Sequence, residues 1–249
     1  MHTIDNPLSA IDDWPRTELG RHIVGLEQQM VDQLLPDLFG FHLMQMGFST
    51  DTPLYANSMI RHRFTMAPAP GRGQVSALSD AEALPIDSDS IDVLILHHAL
   101  EFSANPHQLL REAARVVVPH GHVLILGFNP WSLLSARALL SRRFGHPVWR
   151  FDHLSARRVS DWLRLLDFNI DSVHYSGHAL PVNHQTVLAH QSGIERLGSK
   201  WSLPWGASWM IHACKQVNTM TPVRPFKRMR APRLAVPFAA PSARHRTLH

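Results

Sequence analysis

The sequence has 249 residues, with 24 Lys or Arg against 20 Asp or Glu and a hydrophobic fraction of 45%. This composition excludes collagen-like and wholly disordered classes, and the length suits one α/β domain with extensions. The single cysteine, Cys214, excludes an intramolecular disulfide and fits a reducing compartment. The first residues lack an apolar core and no run approaches the roughly 20 apolar residues of a membrane span. We therefore expect a cytoplasmic protein that does not contact a membrane.

The first part of the chain predicts an arm, a helix and three strands. Residues 1–19 mix Pro, Asp and Ser with few periodic apolar positions, which is typical of an arm on the surface. Apolar residues at helical spacing over 20–35 predict an amphipathic helix that ends where Pro36 interrupts it. Short apolar runs predict strands over 41–47, 61–66 and 74–78.

Residues 84–130 have the clearest pattern in the chain. A nearly continuous apolar run over 91–96 is typical of a strand buried on both faces of a parallel sheet. Asn105 is a suitable N-cap and Pro106 a suitable first residue for the helix that follows. Residues 119–121 (PHG) are expected to break the chain before a second buried strand over 123–128. The unit is βαβ, and such right-handed units predict a parallel sheet.

The remaining segments complete the prediction. Helices are expected over 131–144 and 155–166, and strands over 169–175 and 208–216. Residues 217–249 contain five prolines and seven Arg or Lys, with no acidic residue, and this predicts a disordered tail. The tail's positive charge could attract nucleic-acid phosphates, although a solubilising role is the favoured interpretation.

Several motifs follow one another in the central region. They are residues 80–85 (DAEALP), 90–101 (SIDVLILHHALE), Asn105-Pro106 and 110–121 (LREAARVVVPHG). In their order and spacing they resemble the class I S-adenosylmethionine-dependent methyltransferases of the type 11 group. The resemblance implies an α/β, Rossmann-like fold: a seven-stranded, mostly parallel sheet with an antiparallel last strand and helices on both faces. It places this domain at residues 20–216, between the arm and the basic tail.

The same resemblance implies a cofactor and positions that bind it. S-adenosylmethionine would lie across the carboxyl ends of the strands, where open α/β sheets generally bind ligands. Asp80 matches the acid that contacts the adenine amino group, with the backbone of Ala81 beside it. Gly47 matches the first glycine of the cofactor loop, and His97 follows the strand that lines the pocket. His98 is the candidate general base, although a packing role for either histidine remains the simpler interpretation.

The first motif departs from the family pattern. With Gly47 as its first glycine, Gln45 takes the position of an acid, and Ser49 and Asp51 take those of two further glycines. The acid expected after the second strand, which would hold the ribose hydroxyls, has no counterpart. Either Asp51 or Asp37 reaches the ribose, or the protein is a non-catalytic relative that has lost cofactor affinity. The predicted function is methyl transfer to an unidentified acceptor.

The eighteen histidines raise the question of a metal site. His97-His98 and the alternating pair His120 and His122 are the most suggestive positions. The sequence nevertheless has no His-Glu-x-x-His motif and no paired cysteines. The sequence therefore predicts no metal.

Overall fold

A seven-stranded sheet forms the centre of the molecule. The computed structural model describes residues 14–47, 52–68, 75–132, 134–135, 154–178 and 204–216. In these residues the strands are β1 (His42–Gly47), β2 (His62–Ala67), β3 (Ala77–Leu78), β4 (Ile91–His97), β5 (Val117–Phe128), β6 (Phe168–Ser176) and β7 (Ser208–Lys215). Their order across the sheet is β3-β2-β1-β4-β5-β7-β6.

The strand directions confirm the predicted class of fold. The pairs β3·β2, β2·β1, β1·β4 and β4·β5 are parallel, whereas β7 is antiparallel to both of its neighbours, β5 and β6. The sheet is thus mostly parallel with an antiparallel last strand. In a parallel sheet the carboxyl ends of the strands meet at one edge, which is the edge where ligands bind.

Within the described residues, four complete helices pack around this sheet. They are α1 (Glu18–Leu34), α2 (Ala99–Phe102), α3 (Pro106–Val116) and α4 (Ala156–Leu165). One face of the sheet, which includes Leu94 and Ile125, packs against α3 and α4. The opposite face, which includes Ile95 and Leu124, packs against Met30 and Val31 of α1. Neighbouring strand residues point to opposite faces, so the sheet has a core on each side, as predicted.

Helix α1 begins slightly earlier than the periodicity predicted. Thr17 is its N-cap, because the Thr17 hydroxyl accepts a hydrogen bond from the backbone N–H of Gly20 at 3.0 Å. The helix ends at Leu34, and Pro36 lies in the 3₁₀ turn Leu35–Asp37 that follows. One member of its buried face is a carboxylate, Glu27, which is fully buried.

The predicted break at residues 119–121 was wrong. Strand β5 runs without interruption from Val117 to Phe128, and it contains these residues as an irregularity. The register pairs Ile91 with Val117 and then Val93 with His122, so extra residues of β5 bulge out at this point. Pro119 cannot donate to the ladder, and His120 has a φ of +64°. These local preferences bend the strand, but pairing on both sides of the bulge keeps it in the sheet.

Several predictions fall wholly or largely outside the described residues. They are the arm before residue 14, most of the helix over 131–144, and the basic tail over 217–249. Loop positions Ser49 and Asp51 also lie outside them. Among the helices that the structure describes, none is long and apolar enough to cross a membrane.

Candidate functional site

Three of the predicted site positions lie at the carboxyl edge of the sheet. Gly47 ends β1 and pairs with His97, the last residue of β4. Asp80 follows β3 by two residues, so it lies near the same edge on the outer side of β2. The parallel topology therefore places Gly47, His97 and Asp80 at one edge, as the sequence predicted.

A buried carboxylate joins the two histidines at this edge. Oε2 of Glu27 lies 3.1 Å from Nε2 of His97, and Oε1 of Glu27 lies 3.2 Å from Nε2 of His98. Glu27 is on α1, 70 residues before His97. His98, between the end of β4 and α2, has the left-handed φ of +52°. This backbone conformation is unusual for a residue other than glycine, and such strain concentrates at functional sites.

A second carboxylate completes the network. Nδ1 of His98 lies 3.0 Å from Oε2 of Glu101, on α2. The other oxygen of Glu101 accepts a short hydrogen bond from the backbone N–H of Phe128, at the end of β5. The ring of Phe128 stacks on His98 with centroids 4.0 Å apart. The network therefore connects α1, α2 and the ends of β4 and β5.

The charges in this network follow from its contacts. Burial opposes the charged form of His98, but the two neighbouring carboxylates raise its pKa to about 10. Burial likewise opposes the charged form of Glu27, yet His98 and His97 together hold its pKa well below the usual range. Burial lowers the pKa of His97, so this imidazole is neutral at neutral pH. The network is thus a protonated His98 between two carboxylates, with a neutral His97 beside it.

His97 and His98 differ in the nitrogen atoms that they leave available. Both ring nitrogens of His98 contact carboxylates. Nδ1 of His97 is buried and has no hydrogen-bond partner among the residues that the structure describes. Because Nε2 of His97 faces a carboxylate, it is the nitrogen that holds the proton, which leaves a lone pair on Nδ1. Of the two histidines, His97 is therefore the one with a nitrogen that can accept a hydrogen bond or a proton.

Gly47 is held tightly against the same histidine. A Cβ built at Gly47 would lie 2.6 Å from the backbone oxygen of His97 and 3.3 Å from its Cβ. No side chain fits at that distance, so the glycine is required where the ends of β1 and β4 meet. This gives the surviving glycine of the first motif a structural reason that does not depend on the rest of the loop.

Asp80 has a carboxylate that faces solvent. Its Oδ1 accepts a hydrogen bond from the backbone N–H of Glu82 at 2.9 Å, and Asp80 itself is exposed while Ala81 is buried. A carboxylate has more acceptor sites than this one bond uses. Asp80 can therefore still accept from an exocyclic amino group.

The loop after Asp80 is fixed by residues of the family motif on α3. Arg115 donates to the carbonyl oxygens of Leu84 at 2.9 Å and Ile86 at 2.7 Å. Glu112 accepts from the backbone N–H of Leu84 at 3.0 Å and forms an ion pair with Arg115 at 2.8 Å. The motif's acid and arginine thus position the loop that bears Asp80.

The ribose end of the expected cofactor site has fewer candidates. β2 ends at Ala67 and contains no carboxylate, in agreement with the departure seen in the sequence. The prediction that Asp37 reaches the ribose is wrong. It lies in the turn before β1, at the amino end of that strand, whereas the cofactor edge is about 20 Å away at 3.3 Å per strand residue. Asp51, the other candidate, lies outside the described residues.

Sequence reasoning missed Glu27 and Glu101. The sequence contained one signal for Glu27: it is an acidic residue on the same helical face as the apolar residues Ile23, Met30 and Val31. A buried acid needs a charged or hydrogen-bonding partner. The sequence did not identify that partner, since the histidines lie on a distant strand. Glu101 was part of the quoted motif but had no assigned function.

The fold defines a class of protein. The strand order and the antiparallel last strand are those of a class I S-adenosylmethionine-dependent methyltransferase. A family model described as a methyltransferase domain matches residues 52–125. The chain belongs to this family, in its type 11 group.

Particular relatives support this assignment. The chain is 30% identical over 190 residues to the uncharacterized protein YafS of Escherichia coli, covering 76% of this chain and 78% of that one. It is 30% identical over 144 residues to a demethylmenaquinone methyltransferase of Mycobacterium tuberculosis, covering 57% of each protein.

Solved structures show the same fold. A methyltransferase from Thermotoga maritima, described as a possible histamine N-methyltransferase, has a TM-score of 0.63 at 18% identity and covers 84% of this chain and 96% of its own. A putative methyltransferase of Haloferax volcanii, solved with its Trm112 activator, has a TM-score of 0.56 at 14% identity and covers 83% and 97%.

The cofactor of this family is S-adenosylmethionine, and the described residues fit its adenine end. The carboxylate of Asp80 keeps acceptor sites that an amino group can use, and the orphaned Nδ1 of His97, at the end of β4, is a second unpaired acceptor. The Glu27, His97 and His98 ligand atoms also lie within 4.8 Å of one another, close enough to hold a metal ion. The protonated His98 argues for a hydrogen-bonded network there instead, because a metal binds neutral imidazole.

Proposed function

We propose that the protein catalyses methyl transfer from S-adenosylmethionine to an acceptor bound at the carboxyl edge of the sheet. The observation that supports this most directly is the position of Asp80 after β3 and of His97 after β4, on either side of Gly47. These are the adenine-side and reaction-side positions of a methyltransferase pocket. The bound cofactor supplies an electrophilic methyl group, and the protein's own task is mainly to align the acceptor with it.

The cofactor contacts that we propose follow from the free acceptors. Asp80 would accept a hydrogen bond from the adenine amino group, and the backbone at Ala81 would contact the same part of the cofactor. Gly47 keeps the ends of β1 and β4 close together, so the cofactor can approach the backbone there. Arg115 and Glu112 act indirectly, since they hold the loop that presents Asp80.

The proton acceptor that we propose is His97. A methyl acceptor that carries a hydrogen must release a proton when it is methylated. The lone pair on Nδ1 of His97 can receive that proton. Glu27 orients the ring and stabilises the imidazolium that results, in the way that a carboxylate supports a catalytic histidine. A role for His98 as the base requires the network to open, because both of its nitrogens already contact carboxylates.

Calorimetric titration of the full-length protein with S-adenosylmethionine and S-adenosylhomocysteine tests this proposal. We expect saturable binding of both ligands. If no heat of binding is detected at millimolar ligand, the proposal of an active methyltransferase is contradicted. That result would favour the alternative, a non-catalytic protein that has lost cofactor affinity. The same titration with His97→Gln tests whether Nδ1 of His97 accepts a hydrogen bond from the cofactor.

The role of His97 as a proton acceptor is tested by its titration. Imidazole NMR should show that S-adenosylhomocysteine changes the His97 ring signals and its protonation profile. His42→Gln is the matched control for His97→Gln, because it replaces a histidine at the opposite edge of the sheet, at the amino end of β1. Unchanged His97 signals in the saturated complex would exclude the proposed role even if the cofactor binds.

A further inference from the structure

A second group of metal-ligating side chains lies away from the methyltransferase site. His122 is on β5, His212 is on β7 and Asp171 is on β6. Nε2 of His212 lies 3.0 Å from Nδ1 of His122 and 3.8 Å from Oδ2 of Asp171. His97 pairs with Leu126 of β5, so His122 lies four residues, or about 13 Å, along the strand from the cofactor edge.

The strands bring the two histidines together by their register. His122 pairs with Cys214, and Leu124 pairs with His212. Because strand side chains alternate between faces, His122 and His212 lie on the same face as Leu124, two residues apart diagonally. The rings have centroids 5.1 Å apart. The register alone therefore brings the two rings together.

An irregularity in β6 supplies the carboxylate. The register pairs Ile170 with Ala213 and then Ser172 with His212, so Asp171 has no partner across the ladder. An extra residue of this kind re-aims side chains, and such bulges are frequent beside functional sites. The irregularity directs Asp171 toward His212, and the side chain remains 34% exposed.

We propose that His122, His212 and Asp171 bind one divalent transition-metal ion, with zinc as the representative ion. Two imidazole nitrogens and one carboxylate oxygen are ligands that zinc prefers. With metal–ligand bonds of about 2.0–2.2 Å, tetrahedral ligands lie about 3.3 Å apart, and the two measured separations bracket this value. The three ligand atoms all lie within 4.8 Å of one another.

The protonation state of the ligands agrees with this proposal. Burial lowers the pKa values of His122 and His212, so both rings are neutral at neutral pH. The proposal itself rests on the atomic separations and on the irregularity at Asp171.

The site would be open on one side. Among the residues that the structure describes, these three form the whole ligand group at this place. Three protein ligands leave a fourth position for water or another small ligand. Two further groups lie near the site: in addition to the effect of burial, His174 lowers the pKa of His212, and Asp171 raises the pKa of Cys214. The expected site is therefore exchangeable and partly exposed.

A bound ion would connect three consecutive strands of the sheet. β6 is the edge strand, and it pairs only with β7. The ion would tie Asp171 of β6 to both β7 and β5, so it should resist loss of the edge strand. An ion that binds the folded chain more tightly than the unfolded chain raises the melting temperature.

The test uses the full-length protein after removal of bound metal with a chelator. Zinc chloride is titrated in competition with a chromophoric chelator, and melting temperatures are measured with and without zinc. We expect the native sequence to bind one zinc ion per chain tightly and its melting temperature to rise when zinc is present. Asp171→Asn and His212→Ala should each weaken binding by more than the roughly 10- to 100-fold that loss of an outer-shell partner costs.

A matched control comes from the other close histidine pair. Nδ1 of His42 lies 2.8 Å from Nδ1 of His62 on the exposed edge of β1 and β2, and no third described ligand joins them. His62→Ala should therefore leave the tightly bound zinc ion in place. If His212→Ala does not fold, Asp171→Asn decides the question, because it changes an exposed side chain without removing its volume.

Four results would overturn the proposal. The first three are the absence of a tightly bound zinc ion in the native sequence, equal zinc affinity in Asp171→Asn, and loss of the bound zinc in His62→Ala. The fourth is loss of zinc confined to Glu27→Gln, which would place the metal in the buried network at the cofactor edge. Cobalt(II) substitution gives an independent readout, since its visible absorption bands should disappear in the same variants.

Discussion

The carboxylate of Glu27 lies 3.1 Å from Nε2 of His97, although 70 residues separate them in the chain. Glu27 is fully buried and its other oxygen contacts His98. A single side chain of α1 therefore sets the proton position of His97 and, together with Glu101, the charge of His98. Because the contact links α1 to the end of β4, the site's electrostatics and the packing of α1 depend on each other.

Glu27→Gln should destabilise the fold strongly. The substitution keeps the shape of the side chain but leaves the protonated His98 with one carboxylate, Glu101. Removing one partner from a buried ion pair costs about 3–5 kcal/mol. Urea unfolding at pH 6 should show a loss of this size. Glu18→Gln, on the first turn of the same helix, should cost less than about 1 kcal/mol, and equal losses in the two variants would contradict the prediction.

The cost of Glu27→Gln should depend on pH. The pKa of His98 rises from 6.5 unfolded to about 10 folded, so its stabilisation is complete below pH 6.5 and is lost as the pH rises toward 10. The pKa of Glu27 is lowered from 4.5, so its stabilisation is present above pH 4.5 and is lost at lower pH. The lowered pKa of His97 acts in the same direction as that of Glu27, with stability lost below pH 6.5.

The difference in unfolding free energy between the native sequence and Glu27→Gln should therefore be greatest at mildly acid pH. It should shrink steadily between pH 6.5 and 10 as His98 loses its proton. Urea unfolding at several pH values measures this difference. A difference that stays constant from pH 6 to pH 10 would show that His98 is not charged in the native network.

Two glycine substitutions should have opposite effects. Gly47→Ala places a Cβ 2.6 Å from the backbone oxygen of His97, so the ends of β1 and β4 must separate. Overpacking of this kind costs about 1–3 kcal/mol. Gly25→Ala adds a methyl group on α1 with nothing within 4 Å, and alanine is favoured over glycine in a helix by about 0.5–1 kcal/mol. Thermal unfolding should show a decrease for the first and an increase for the second.

Arg115→Lys should loosen the loop that follows Asp80. Lysine cannot reproduce the planar fork with which Arg115 contacts Glu112 and the carbonyl oxygens of Leu84 and Ile86. We expect a loss of about 1–3 kcal/mol and weaker cofactor binding. Arg111→Lys is the control, since Arg111 is exposed one turn earlier on α3 and contacts Gln108. Similar effects of both changes would refute the role assigned to Arg115.

Asp80→Asn should weaken binding of S-adenosylhomocysteine by about 1–3 kcal/mol, the usual range for a lost charged hydrogen bond. Its exposed position makes a large effect on folding unexpected. Asp37→Asn is the matched control, because Asp37 is also exposed but lies at the amino end of β1. Calorimetry on both variants checks the assignment, and unchanged affinity in Asp80→Asn would refute the adenine contact.

The sequence by itself determined the fold, because its strongest signals are local. Buried strands such as β4 appear as continuous apolar runs, and the Asn105-Pro106 start of α3 follows from capping chemistry. The motif series placed Asp80 and His97 after the correct strands. The break expected at Pro119 failed because local preference there is overridden by pairing on both sides of the bulge.

Only the tertiary structure decided which charged and polar side chains meet in the two clusters, the one around Glu27 and the one around His212. Glu27 meets His97 and His98, and Asp171 meets His212, through strand order, register and helix packing. A one-residue change in strand register would turn His97 and His212 to the opposite face of the sheet. Charge states depend on such contacts because burial and neighbouring charges shift pKa values. The sequence thus determined which residues stand at the edge of the sheet, and the packing decided which of them can accept a proton.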